Sequence, residues 1–330
     1  MRQLIFLIIL SASMVSGIVF GASPIRLNVG MYVRSVAMNN KEQQATIDLY
    51  YWYRFKMPED TSDLASYYNL EITNGDLLFN EIQEEKVIGD AFYVSGHMKG
   101  VFHFVADYEN YPFDKQKLMI QFEHPTFEVG DIILVPDKAS YLKCKAHPNL
   151  WGLSKNLKAD GLFIRKSEFV VGERVYETDF GDPNIEEPIS TYGNLTYFIY
   201  VSRDFLPYVW KFMLPLIIIV SLAYLVFYIP AESLDLAAGL TVTSLLAGIA
   251  FQWTVSDDLP EVGYLTCVDK IFYLSYVLIM LAMAQTVWTY HLELNGNKKL
   301  SDFLEIGGRW VFPLAFFGGS LYYMLSSFYR

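Results

Sequence analysis

The chain has 330 residues, of which 53% are hydrophobic, and its formal net charge is −11. This acidic balance, with clusters near residues 81–85 and 179–187, argues against nucleic acid as a partner and favours cations. The two cysteines are too far apart in sequence for a disulfide framework or a CxxC metal site. No P-loop, GxGxxG or nucleophile motif occurs, so the sequence indicates neither an enzyme nor a cofactor.

The first segment, residues 1–22, has the features of a secretory signal peptide. Arg2 precedes an apolar run at residues 4–10, and the small residues Gly21 and Ala22 fit a cleavage site. An uncleaved signal anchor is the alternative. Cleavage would place the next domain outside the cytoplasmic membrane, in the periplasm or extracellular space.

Residues 23–204 are predicted to form an all-β sandwich. Segments 46–55, 91–106, 117–123, 131–135, 168–178 and 194–202 are rich in aromatic and β-branched residues and are separated by turn residues. About ten short strands without helical interruptions favour a sandwich. The polar stretch 179–193 is expected to be a mobile loop between the last two strands. His97 and His103 fit one strand face, but their surroundings in the sequence do not predict a metal site.

Four long apolar segments follow within residues 205–330, and they predict a four-helix transmembrane bundle. They cover residues 206–229, 236–255, 271–290 and 310–328, each near the roughly 20 residues that a helix needs to cross about 30 Å of hydrocarbon. Tryptophan and tyrosine residues near the segment ends fit an aromatic belt. Lys298, Lys299 and Arg309, between the third and fourth segments, fit a cytoplasmic position. The sequence thus predicts a multi-pass protein of the inner (cytoplasmic) membrane, with the lipid bilayer as its surroundings.

Several motifs occur in a specific order along nearly the whole chain after residue 22. They are YPFDKQ at residues 111–116, Arg203 and Pro207 at the entry to the first apolar segment, LPL at residues 214–216 and Leu259-Pro260 with Tyr264-Leu265-Thr266 after the second. This order resembles the pentameric ligand-gated ion channels, the Cys-loop receptor superfamily. The short loop at about 292–308 resembles the bacterial branch. Phe104 and Leu118 fall on the two positions of the disulfide that names the superfamily, so an apolar contact would replace that bond.

The resemblance implies a homopentamer in which the second apolar helix of each subunit lines a central pore. Steps of three or four residues along that helix define one face, which is acidic at both ends and apolar between them. This candidate pore face consists of Asp235, Gly239, Thr243, Leu246, Ala250, Trp253 and Asp257. The alternative is that Gly239 and Thr243 permit close helix packing, while Asp257 is a solvated helix cap.

A pentamer would turn this face into rings around the axis. Rings of Asp235 at the inner mouth and Asp257 at the outer mouth would concentrate cations, so the expected permeant ions are Na⁺ and K⁺. Leu246, Ala250 and Trp253 would form a constriction that stops ions by dewetting. Trp253 either faces the axis or, after a slight rotation of the helix, contacts the neighbouring subunit.

The resemblance also implies a coupling region and an agonist site. In the coupling region, the loop containing Tyr111, Pro112, Phe113 and Asp114 would rest on the link that contains Pro260, and Arg203 would pair with Asp114. The agonist site would lie between subunits and include Glu123, Phe127, Phe180 and Tyr192 of one subunit and Trp52 of its neighbour. Aromatic faces around a carboxylate suit an amine through cation–π attraction.

The sequence leaves the agonist open among a small organic molecule, protons and Ca²⁺, and Ca²⁺ or protons are equally open as modulators. A membrane sensor or adhesin with a non-conducting four-helix anchor is the alternative function. Such a protein would not need polar residues along one face of its second apolar helix, whereas a pore requires them.

Overall fold

The computed structural model describes residues 24–58, 60–143, 149–159, 161–178, 181 and 189–329. The predicted signal segment, Cys144 and Phe180 lie outside these described residues. The described part contains ten strands: β1 (Ile25–Asn39), β2 (Gln44–Lys56), β3 (Glu71–Ile72), β4 (Gly75–Ile88), β5 (Ala91–His103), β6 (Lys115–Glu123), β7 (Ile132–Pro136), β8 (Leu153–Ala159), β9 (Leu162–Tyr176) and β10 (Ser190–Arg203).

The strands form two sheets that enclose one hydrophobic core. A six-stranded sheet has the order β4-β5-β2-β1-β7, with β8 also paired to β1, and a four-stranded sheet has the order β3-β6-β10-β9. Alternate residues of β2 and β5 are buried, as expected for strands with one face on a core. Phe104 and Leu118 are both buried in this core, so the predicted disulfide positions are apolar core residues.

Two details of the predicted sandwich are wrong. Two short helices, α1 (Ala65–Tyr68) and α2 (Lys138–Lys143), interrupt the strands, which were expected to follow one another without helices. Several strands are also long rather than short, since β1 and β9 each have 15 residues. Strand β9 begins at Leu162 and not near residue 168, while β5 ends at His103 and not at residue 106.

Four long helices follow the sandwich directly. They are α3 (Phe205–Tyr224), which continues as a 3₁₀ turn over Leu225–Tyr228, α4 (Leu234–Ser256), α5 (Cys267–Leu294) and α6 (Lys298–Tyr329). These four helices of the described chain are long and apolar enough to cross a membrane. The architecture expected from the sequence, a β-sandwich followed by four apolar helices, is therefore confirmed.

The third and fourth helices are longer than predicted, and the loop expected at about 292–308 is wrong. Helix α5 ends at Leu294 and α6 begins at Lys298, which leaves only a three-residue connection. A search for apolar residues misses the first turns of α6 because charged residues occur there. Glu305 and Arg309 nevertheless pair at 3.5 Å with the i,i+4 spacing of a helix.

Helix α5 is the central helix of the bundle. In its most apolar window 44% of the residues are buried within the subunit, against 22% for α4 and α6. Phe272 on α5 packs against Phe212 of α3 and Phe251 of α4, with ring centroids 5.5 and 5.7 Å apart. Much of α4 is therefore left without a partner inside the subunit.

Candidate functional site

The predicted pore face coincides with the exposed side of α4. All seven predicted residues are exposed in the subunit, and Leu246 and Trp253 keep 62% and 75% of their accessible surface. The buried side is formed by small residues, namely Ala237, Thr241, Ser244 and Gly248. Small residues let α4 approach its neighbours closely. The exposed arc is wider than predicted, because Val242 and Thr254 are exposed as well.

The outer end of α4 is tied to the β-sandwich by an ion pair that the sequence did not indicate. Lys41, in the turn between β1 and β2, places its Nζ 2.8 Å from Oδ1 of Asp257. This hydrogen bond lowers the pKa of the Asp257 carboxyl group and raises that of Lys41. Asp257 therefore has a cationic partner within its own subunit.

The predicted pair between Arg203 and Asp114 is present at the junction of the two domains. Nε of Arg203 lies 2.7 Å from Oδ1 of Asp114, and the two side chains are only 3% and 1% exposed. The guanidinium carbon also lies 5.2 Å from the ring centroid of Tyr111. A second acceptor, Oδ1 of Asn40 at 2.8 Å from Nη2, was not predicted. This buried cation is held by an ion pair, an amide and an aromatic face.

The loop that carries the YPFDKQ motif contacts the helices at several points. Phe113 packs against Phe205 of α3 and Phe328 of α6, with ring centroids 5.2 and 6.0 Å apart. Tyr111 belongs to the hydrophobic cluster of the helical domain, which also includes Leu259 beside the half-buried Pro260. The loop and the link after α4 thus share one apolar cluster.

Two hydrogen bonds that involve backbone amides connect the same loop to the start of α5 and to the link before it. The amide of Cys267 donates to the carbonyl oxygen of Glu109 at 2.9 Å. The amide of Tyr108 donates to the hydroxyl of Tyr264 at 2.8 Å. Together with the apolar contacts, they make this junction a continuous surface between sandwich and bundle.

Two of the agonist-site candidates, Glu123 and Tyr192, meet at one end of the four-stranded sheet. Glu123 ends β6 and is 2% exposed. The Tyr176 hydroxyl donates to Oε1 of Glu123 at 2.7 Å, and the Tyr176 ring lies edge-on to Tyr192 with centroids 5.7 Å apart. Nε of Arg174 lies 3.7 Å from Oε2. Tyr176 and Arg174 are thus part of the cluster, although the sequence reasoning did not name them.

This cluster holds two polar atoms without hydrogen-bond partners among the described residues. Oε2 of Glu123 and Nδ2 of Asn194 are both buried and unpartnered in that sense. The two residues lie directly opposite each other on β6 and β10. Buried polar atoms normally find a partner, so a water molecule or a polar ligand group suits this position.

Phe127 and Trp52 lie apart from the Glu123 cluster within one subunit. Phe127 stacks on Tyr67 with centroids 5.4 Å apart, close to α1. Trp52 lies on β2 of the other sheet, and its indole Nε1 donates to Oδ2 of Asp137 at 2.9 Å. Its ring lies over Gly30, where a Cβ atom would be only 2.1 Å from Cε2 of the indole. Only a glycine at that position accommodates this arrangement.

His124 fixes the turn that follows Glu123. Nδ1 accepts hydrogen bonds from the amides of Thr126 at 3.1 Å and Phe127 at 2.8 Å, while Nε2 donates to the carbonyl oxygen of Ser66 at 2.7 Å. The ring must be neutral for Nδ1 to accept. Burial lowers the pKa of His124, which favours that neutral form.

His97 and His103 lie on the same face of β5, as the sequence suggested. His97 contacts Asp48 at 3.1 Å and packs against the tilted ring of Tyr50, with centroids 4.8 Å apart. Among the residues that the structure describes, no group of three or more His, Cys, Asp or Glu is arranged to hold a metal ion.

The match to a known family model lies within the helical part of the chain. A family model described as the neurotransmitter-gated ion-channel transmembrane region matches residues 212–300. A proton-gated ion channel from Gloeobacter violaceus is 21% identical over 210 residues, which cover 64% of this chain and 53% of that relative.

Two animal proteins extend this similarity. The acetylcholine receptor subunit delta of Gallus gallus is 24% identical over 59% of this chain and 39% of its own length. The 5-hydroxytryptamine receptor 3A of Cavia porcellus is 23% identical over 55% of this chain and 34% of its own length. The chain thus matches about half or less of the length of these three relatives.

Proposed function

As this chain belongs to the pentameric ligand-gated ion channel family, we propose that it forms a homopentameric, cation-selective channel lined by α4. The family match and the four apolar helices make it a multi-pass membrane protein. We further propose that it resides in the cytoplasmic membrane with its sandwich outside, after removal of residues 1–22.

One observation supports this proposal: the face of α4 that is acidic at both ends is exposed along its length in the subunit, and Lys41 contacts it only at Asp257 among the described ion pairs. Asp235 and Asp257 are exposed at opposite ends of this face, and Leu246 and Trp253 are exposed between them. A helix that only anchors a sensor or adhesin would place Asp235 in lipid without any gain. With five copies around an axis, the Asp235 and Asp257 side chains would form rings in contact with water, and the Leu246 and Trp253 side chains would form apolar rings between them.

Charge selectivity is assigned mainly to Asp235. Asp257 is paired with Lys41 of the same subunit at 2.8 Å, which compensates part of its charge. No cation of the described residues is paired with Asp235. A ring of five such carboxylates raises the local concentration of cations and opposes anions. Leu246 and Trp253 would close the resting pore by dewetting.

The agonist site is proposed at the Glu123 cluster, with Phe127 of the same subunit and Trp52 of the neighbouring subunit as further contacts, while the candidate Phe180 lies outside the described residues. The names of the relatives make protons and amines the first ligands to test. An amine would compete with Arg174 for Oε2 of Glu123, because the guanidinium lies only 3.7 Å away. Tyr176 and Tyr192 supply aromatic faces beside that carboxylate.

Ion flux in liposomes tests the channel function directly. Purified protein, checked by mass measurement for five subunits, should carry Na⁺ and K⁺ but little Cl⁻ across liposomes when pH, Ca²⁺ and simple amines are varied. Asp235→Ala should weaken the preference for cations, whereas Glu232→Ala serves as a control in the turn before α4. Assembled pentamers that carry no ions under any of these conditions, or that prefer Cl⁻, would contradict the proposal.

A further inference from the structure

Side-chain hydrogen bonds join α4 to α5 next to Trp253, which is 75% exposed in the subunit. Gln252 lies immediately before Trp253, and its Nε2 donates to Oδ1 of Asp269 at 3.0 Å. The Tyr276 hydroxyl, also on α5, donates to Oε1 of Gln252 at 2.9 Å. Both ends of one amide are therefore fixed by the same neighbouring helix.

The Tyr276 ring also touches α4 one turn below this amide. A Cβ atom at Gly248 would lie 3.0 Å from Cε1 of Tyr276, so the glycine leaves room for the ring. Gly248 and Gln252 are spaced i,i+4 and lie on one side of α4. The two contacts hold α4 against α5 over consecutive turns, which limits rotation about the helix axis.

Asp269 is itself held in place. Its Oδ2 accepts hydrogen bonds from the amide of Thr266 at 3.0 Å and from the Thr266 hydroxyl at 2.7 Å, in the capping box that starts α5. The next residue, Cys267, donates its amide to the carbonyl oxygen of Glu109 in the loop of the β-sandwich. Hydrogen bonds, together with the peptide bond between Thr266 and Cys267, thus connect that loop through Asp269 to Gln252.

The rotation of α4 decides what faces the axis. At 3.6 residues per turn, Gln252 projects about 100–120° away from Leu246 and Trp253 around the helix. A side-chain tip lies roughly 5–6 Å from the axis, so a rotation of about 30° moves it by roughly 3 Å, the width of a water molecule. A displacement of this size separates a Trp253 ring that faces the pore from one that contacts the next subunit.

We propose that Gln252 is a positioning residue that, through Asp269 and Tyr276, sets the rotation of α4 and keeps Trp253 facing the pore. The proposal rests on the channel function proposed above and adds a second route from the sandwich to the pore, separate from the Arg203–Asp114 pair. Movement of the Glu109 loop would reach α4 through α5 and not only through the link that follows α4.

Accessibility of residue 253 to water measures this rotation without any agonist. Trp253→Cys protein in liposomes is treated from the sandwich side with a charged, membrane-impermeant methanethiosulfonate. The parent protein without Trp253→Cys gives the background from native thiols, of which Cys267 is buried. Gln252→Leu, which keeps the size but removes both hydrogen bonds, should change the reaction rate at residue 253 at least about 5-fold. Tyr276→Phe, which removes one neutral hydrogen bond, should change it about 2- to 12-fold.

Thr254→Val is the matched control, because the Thr254 hydroxyl bonds the Ala250 carbonyl of its own helix at 3.2 Å. It should leave the rate within about 2-fold of the unsubstituted value. In a Gln252→Leu background, Tyr276→Phe should have no further effect, because both changes remove the same anchor. If Gln252→Leu does not assemble, the comparison of Tyr276→Phe with Thr254→Val decides alone.

The inference is overturned if the assembled Gln252→Leu and Tyr276→Phe proteins both react at the rate of the control. It is equally overturned if the change in rate in the double variant equals the product of the changes in the two single variants. It is also overturned if Trp253→Cys does not react in the unsubstituted background, since residue 253 would then not face water. Ion flux is scored separately. Protein that carries no ions but whose reactivity at residue 253 still follows Gln252 would refute the channel function and leave this positioning role in place.

Discussion

Removal of the Asp114 charge tests whether the stability of the protein depends on neutralising the buried Arg203 cation between sandwich and helices. Asp114→Asn keeps an oxygen that can accept from Nε of Arg203, now 2.7 Å away, but it removes the negative charge. Arg203 is 3% exposed and remains charged, because a guanidinium does not lose its proton in proteins. The variant therefore contains a buried cation whose acceptors are neutral amide oxygens, at position 114 and at Oδ1 of Asn40, 2.8 Å away, and whose aromatic neighbours are Tyr108 and Tyr111.

Breaking a buried ion pair by removal of one partner costs about 3–5 kcal/mol, because the other charge stays buried without compensation. A cation–π contact with an aromatic face stabilises a cation by about 0.5–2 kcal/mol. These contacts already exist in the native protein, so they reduce the loss only if they strengthen in the variant. We expect a net destabilisation of about 2–4 kcal/mol, and a fall in apparent Tm of roughly 4 °C or more for a chain of this size.

Thermal unfolding of the detergent-purified protein, followed by the loss of the assembled species in size-exclusion chromatography, measures this change. Glu84→Gln is the control, since Glu84 forms an exposed pair with Lys86 at 2.8 Å, and exposed pairs contribute about 0–1 kcal/mol. The reasoning is refuted if Asp114→Asn shifts Tm no more than Glu84→Gln. Asp114→Asn with Arg203→Met should recover part of the loss, because the uncompensated charge is then gone.

Three further predictions concern the pore and the turn after β6. Asp235→Ala should move the reversal potential in asymmetric NaCl toward that of a non-selective pore, and an unchanged potential would place the selectivity ring elsewhere. Leu246→Ser and Trp253→Ser should each produce leak currents without agonist, and two assembled, silent variants would contradict a hydrophobic gate. Burial lowers the pKa of His124, so its contribution to stability is full above the unfolded value of about 6.5 and is lost as pH falls toward the folded pKa. His124→Asn, whose oxygen can replace Nδ1 as acceptor, should make Tm less dependent on pH between 7.5 and 5.5.

The parts of the fold that follow a simple hydrophobic period were predictable. The four helices and several strands have such patterns, and β1 has one too, although it was not among the predicted segments. Strand β4 could not be found this way, because every residue after Gly75 is exposed and no buried face alternates with a polar one. It is a strand because it pairs along the length of β5, a contact that only the folded chain supplies.

The site shows the same division between local pattern and long-range contact. The pair of Arg203 and Asp114 was expected from the family resemblance, and the structure contains it. The pair of Lys41 and Asp257 joins exposed residues 216 positions apart, and although the helical period marked Asp257 as a pore residue, no local pattern indicated Lys41 as its partner. Gln252 was overlooked for a related reason, since a single amide in an apolar helix does not reveal which neighbour it will bond.

The two ion pairs at the junction differ in a way that bears on gating. Arg203 and Asp114 are buried, so separating them leaves uncompensated charges in a region of low dielectric. Lys41 and Asp257 are 58% and 77% exposed, so water and salt replace their attraction at little cost. In the proposed channel, a gating movement between sandwich and helices would therefore break the second pair readily while the first holds the two domains together. By this argument, high salt should weaken the ion pair between Lys41 and Asp257 and leave the buried pair between Arg203 and Asp114 intact.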